Sequence, residues 1–100
     1  MTPSALEYDM ARVREALAKR QPTKIGGKRC DLTLTDANTG LVRSQVLLTL
    51  NARRGRENLV CEILLERQRL TDPEMIAALL IETARRLITG RLPSGSQLLV

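Results

Sequence analysis

Apolar residues early in the chain recur with the spacing of a helix. Leu6, Met10, Val13 and Leu17 stand at i, i+4, i+7 and i+11, one apolar stripe. Ser4 and Glu7 ahead of it read as a capping box. Arg12, Glu15, Lys19 and Arg20 fall off the stripe. Pro22 limits the helix at about Gln21, since the residue before a proline is pushed out of the helical region. Thr23 to Gly27, with its Gly-Gly pair, reads as a short loop. From Lys28 the period changes to two: Cys30, Leu32 and Leu34 alternate with Arg29, Asp31, Thr33 and Thr35, as in a half-buried strand. Asp36 to Gly40 is turn chemistry. A second strand is expected from about Leu41 to Leu50, with Val42, Ser44, Val46, Leu48 and Leu50 on one face. Asn51 to Asn58 reads as a basic hairpin loop. A third strand follows, with Leu59, Cys61, Ile63 and Leu65 on one face and Val60, Glu62, Leu64 and Glu66 on the other.

The second helix opens at Thr71-Asp72-Pro73-Glu74, a second capping box with proline in the first turn. Gly90 marks its end. Met75 through Ile81 is apolar over more than one face, the mark of a helix buried on two sides. The expected fold class is therefore α+β in the order α-β-β-β-α, a three-stranded antiparallel meander with both helices packed on one face. Residues 1–92 form the single domain, and 93–100 are a C-terminal tail with the composition for a short fourth strand or an exchanged arm. Setting Leu34 opposite Val42 and Leu50 opposite Leu59 brings the three apolar sets onto one face and puts Arg43 opposite Glu66 on the other. Leu47, Val60 and Leu64 then lie on the outer face among Thr33, Thr35, Gln45 and Thr49, a candidate protein interface. With the greasy second helix, that face makes a homodimer the expected state.

Composition narrows the chemistry. In 100 residues there is no His, Phe or Trp, and Tyr8 is the one aromatic residue. Imidazole catalysis and His-containing zinc sites are thereby excluded. The single aromatic residue also argues against single-strand recognition by base stacking. Cys30 and Cys61 fall on non-adjacent strands, two steps of ~4.8 Å apart and beyond disulfide reach, so two buried thiols in a reducing, cytoplasmic setting are expected. No stretch has the length of a membrane span. Gly26-Gly27-Lys28 lacks the frame of a phosphate loop, and Ser94-Gly95-Ser96 lacks that of a nucleophile elbow. Glu62, Glu66 and Asp31 carry the oxygen ligands a divalent metal takes, but a solvated face with an Arg43–Glu66 pair is the commoner meaning of such residues. Neither a catalytic residue nor a cofactor or metal site is expected.

Charge supplies the functional expectation. Thirteen Arg and three Lys stand against four Asp and seven Glu, a net charge of +5. The excess of Arg over Lys suits bidentate contacts to phosphate or carboxylate, and it also suits the codons of a GC-rich bacterium or its phages. Arg53, Arg54 and Arg56 crowd the second hairpin. Lys24, Lys28 and Arg29 adjoin Arg12, Arg14, Lys19 and Arg20 in a second basic region. These residues predict a small non-catalytic module that contacts an acidic partner, nucleic acid first, through phosphates. The alternative is a protein-interaction factor, such as an adaptor, a secretion chaperone or an inhibitor from a mobile element, docking through Leu47, Val60 and Leu64.

Two nucleic-acid families share the α-β-β-β-α order. Double-stranded RNA-binding domains open their second helix with basic residues, whereas Thr71-Asp72-Pro73-Glu74 is acidic and repels phosphate. The stretch from Glu74-Met75 through Ala84-Arg85-Arg86 resembles the closing helix of nucleoid-associated YbaB-type dimers. The first helix here is shorter and the strands longer, so that likeness covers one helix and assigns no family.

Overall fold

A computed structural model describes residues 5–21, 23–39 and 44–100. Helix α1 (Ala5–Lys19) is followed by strands β1 (Thr23–Ile25), β2 (Lys28–Thr39), β3 (Gln45–Arg54) and β4 (Glu57–Glu66). A 3₁₀ turn (Arg67–Thr71), helix α2 (Pro73–Ile88) and strand β5 (Ser96–Leu99) complete the chain. The five strands form one sheet in the order β1-β2-β3-β4-β5, antiparallel except for the parallel β4–β5 pair. Both helices pack on one side of it and against each other, so the fold is α+β with one open sheet face.

Alternation decides which side chains enter the core. Cys30, Leu32 and Leu34 of β2, Val46, Leu48, Leu50 and Ala52 of β3, and Cys61, Ile63 and Leu65 of β4 are all buried on the helix side. Met10, Val13, Ala16 and Leu17 of α1 meet them, as do Ile76, Ala77, Leu80, Ala84 and Leu87 of α2. Asp72 caps α2 by accepting a hydrogen bond from the Met75 backbone N–H at 3.3 Å, with Pro73 at the first helical position. The cap is therefore Asp72 rather than Thr71, while the capping box expected at Ser4 lies outside the described residues. Gly90, at φ +78°, ends α2 as expected.

The meander is longer and differently registered than the hydrophobic pattern predicts. Thr23–Ile25 is not a loop. It pairs with β2 through a turn in which Gly26 and Gly27 both have positive φ, a conformation that favours a two-residue hairpin with glycine at both central positions. Leu34 lies opposite Leu50, not Val42, because β2 runs on through residues expected to turn and pairs as far as Thr39 with Val46. One extra residue between Thr35 and Ala37 makes a bulge there. Val42 and Arg43, and hence the Arg43–Glu66 pair, lie outside the described residues; Glu66 is opposite Gln45. Leu50 lies opposite Cys61, not Leu59, because the β3–β4 turn contains only Gly55 and Arg56. Gly55 takes the first of those positions with φ +61°. The closing segment supplies the expected short C-terminal strand: it joins the sheet edge beside β4, parallel to it, and is the fifth strand because β1 adds one.

Arg14 of α1 and Gln21 just beyond that helix finish the edge of β2 where β1 stops. The Gln21 side-chain amide donates to the Leu32 carbonyl at 3.0 Å and accepts from the Leu32 N–H at 3.4 Å. Arg14 Nε donates to the Leu34 carbonyl at 3.3 Å. The Leu32 backbone groups and the Leu34 carbonyl, which an added strand would need, are thus already engaged.

Candidate functional site

The open face is a grid whose rows follow from register. At the end nearest the β3–β4 turn, Asp31, Arg53 and Asn58 lie side by side across β2, β3 and β4, with Thr33, Asn51 and Val60 in the next row on that face. Asp31, Thr33, Asn51, Arg53, Arg56 and Asn58 line a solvent-open depression of about 490 Å³. Lys24 and Arg29 are paired neighbours on β1 and β2, and alternation puts both on this face beside Asp31. Arg29 Nε reaches Asp31 Oδ1 at 3.2 Å, both side chains being well exposed. Lys24, Arg29, Arg53 and Arg56 thus share this end of the face with Asp31, to which Arg29 is paired. Among the described residues, no carboxylate is within ion-pair reach of Lys24, Arg53 or Arg56.

Strand geometry divides the basic residues singled out in the sequence. Arg53 and Arg56 border the depression, but Arg54 shares the helix side with Ala52, where its Nη2 lies 3.2 Å from Glu57 Oε1. Its other terminal nitrogen lies 3.8 Å from the point where a side chain on Gly26 would begin. The expected three-arginine loop is thus a tight turn whose flanking strands send adjacent arginines to opposite faces. Lys28 is exposed at the β1–β2 turn, on the Cys30 side of its strand. The α1 cations form no common surface with Lys24 and Arg29, because the helix lies on the other side of the sheet. Lys19 pairs with Glu15 at 3.7 Å, Arg20 with Glu74 at 3.1 Å, and Arg12 sits 5.9 Å from the Tyr8 ring centre.

Thr33, Asn51 and Asn58 complete the depression and were not legible as site residues, because only the register brings them beside Arg53. They add hydroxyl and amide groups that both donate and accept. Val60, Leu47 and Leu64 are half-buried on the same face but do not form one cluster. Leu47, Leu64 and Leu99 make a row across β3, β4 and β5, and Val60 lies two rows away beyond Thr49, Glu62 and Gln97.

Asp31, Glu62 and Glu66 are distributed along the face in different rows, and no cluster of metal-ligating side chains occurs among the described residues. Cys30 and Cys61 are buried free thiols. Burial pushes both above the ordinary thiol range, the neighbouring Asp31 and Glu62 carboxylates add to this, and Arg54 and Arg86 oppose it. They are held as neutral thiols, unsuited to nucleophilic attack. No helix among the described residues is long and apolar enough to cross a membrane. Comparison with protein-family models, with curated proteins and with solved structures finds no match to this chain.

Proposed function

We propose that the chain is a non-catalytic binding module that takes the phosphate groups of a nucleic acid at the basic end of its open sheet face. The observation that carries this reading is the depression between Arg53 and Arg56, with Lys24 and Arg29 beside it and, among the described residues, no ion-pair partner for three of the four. Guanidinium groups fork onto phosphate oxygens, and an ammonium group adds a point charge. Thr33, Asn51 and Asn58 offer hydrogen bonds to sugar hydroxyls and base edges. Asp31, steadied by Arg29, accepts from a hydroxyl or amino group and repels a phosphate placed directly on it. Without an aromatic platform, affinity comes mainly from charge, so binding is weakly selective for sequence and falls steeply with salt.

Fluorescence anisotropy of labelled DNA and RNA over a salt series tests this. Arg53→Ala/Arg56→Ala flattens the dependence of affinity on salt, while Arg54→Ala leaves it near that of the parent protein. A second reading, docking of a protein partner, is favoured by the Leu47–Leu64–Leu99 row on the same face. Leu64→Arg abolishes capture in that case and leaves phosphate binding unchanged.

A further inference from the structure

The two edges of the sheet are treated differently by the chain. On the β1–β2 side, Gln21 and Arg14 occupy the Leu32 backbone groups and the Leu34 carbonyl of β2. On the other side β5, Ser-Gln-Leu-Leu, has neither a charged residue nor a proline, and among the described residues no strand lies beyond it. Leu99 on this strand is 79% exposed, more than any other large apolar residue described. Soluble proteins ordinarily blunt such an edge with charge, proline or a bulge, so a bare apolar one is suited to pairing.

A second copy of the same strand fits the edge. An antiparallel pair related by a twofold axis at Leu98 sets Leu98 against its counterpart on the helix side and Gln97 against Leu99 twice on the open side. Every side chain keeps its face in that register. Leu99 of each copy then lies diagonally across the seam from the other, within reach of long side chains. At low ionic strength charge favours the same arrangement. Among the described residues, Lys24, Arg29, Arg53 and Arg56 occupy one end of the open face, Glu66 the other, and Glu62 the middle. Antiparallel pairing sets the basic end of each copy toward the acidic end of its partner, whereas parallel pairing sets two basic ends together on chains of net charge +5.

We infer that two copies join β5 to β5 in antiparallel register, forming a ten-stranded sheet with all four helices on one side and one shared open face. Five strand spacings of ~4.8 Å across and ten residues of ~3.3 Å along put the two basic ends about 40 Å apart. The pairing stands independently of the phosphate reading. Where both hold, one face offers two phosphate-binding ends to a single polymer.

Light scattering over chain concentrations rising to millimolar tests the pairing. The parent protein reaches twice the monomer mass. Gln97→Lys/Leu99→Lys, which sets ammonium groups opposite one another across the seam, stays at monomer mass with an unchanged circular dichroism spectrum. Should that variant fail to fold, Leu98→Cys decides: mild oxidation converts it to a covalent dimer, because opposed strand residues lie within disulfide reach. Tyr8→Cys, exposed on α1, does not cross-link. A parent protein that remains monomeric throughout overturns the inference, as does a dimer that tolerates the double substitution or a Leu98→Cys variant that does not cross-link.

Discussion

Gln21 performs the work of a missing strand residue, and replacing it measures how much that matters. Its side-chain amide makes both hydrogen bonds that an adjacent strand would make to Leu32, donating at 3.0 Å and accepting at 3.4 Å from a half-buried position just beyond α1. Gln21→Ala removes the two together and leaves the Leu32 N–H and carbonyl to water at a sheet edge. A net worth of about 0.5–1.5 kcal/mol for each bond, with the long 3.4 Å contact at the low end, gives a loss of about 1–2 kcal/mol. In a domain of this size each kcal/mol lowers Tm by about 4–8 °C. Urea unfolding followed by circular dichroism should show a lower midpoint with an unchanged slope, since no core contact is removed. The Leu32 amide should also exchange with deuterium faster than Leu50, which is buried in the sheet centre. A loss under about 0.5 kcal/mol, with Leu32 exchange unchanged, refutes the idea that this amide closes the edge.

Two further expectations concern residues away from the open face. Asp9 of α1 and Arg67 of the 3₁₀ turn meet at 2.7 Å with both side chains largely buried. Asp9→Ala should cost about 1–3 kcal/mol in urea unfolding, because it leaves a partly buried guanidinium without its hydrogen-bond partner, and a change indistinguishable from zero would mean that water already screens the pair. The raised thiols of Cys30 and Cys61 predict a loss of stability at alkaline pH. With the folded value above the unfolded one, their contribution is complete below the unfolded thiol range and disappears as pH rises through the folded value. Cys30→Ala/Cys61→Ala should remove that share of the alkaline decline, and an identical decline in both proteins would contradict the burial argument.

The faces of the strands were legible in the sequence, but the register was not, for one physical reason. A strand repeats every two residues, so alternation assigns Leu34, Leu50 and Cys61 to the core and remains satisfied by any slip of an even number of residues. Pairing Leu34 with Val42 or with Leu50 preserves every face, as does pairing Leu50 with Leu59 or with Cys61. Only the turns distinguish them, and Gly55 at positive φ selects the tight Gly55-Arg56 turn. The candidate site inherited that uncertainty. Arg53 and Arg56 were visible as a basic cluster, while Asn51, Asn58 and Thr33 become neighbours only in the observed register. The separation of Arg53 from Arg54 had a signal in the sequence: adjacent residues in an extended segment point to opposite faces. It was concealed by taking Asn51–Asn58 as a loop. Thr23–Ile25 is too short for a period to register, and the role of Gln21 depends on where α1 stops relative to β2.

Whether phosphates bind at the basic end of the open face is decided by anisotropy of labelled duplex and single-stranded DNA and RNA. The parent protein, Arg53→Ala/Arg56→Ala and Arg54→Ala are each followed between about 50 and 200 mM salt. Salt-sensitive binding is expected of the parent and of Arg54→Ala, and a weaker, flatter response of the double variant. Absence of binding at the lowest salt, or an equal loss from Arg54→Ala and the double variant, contradicts phosphate binding at that end.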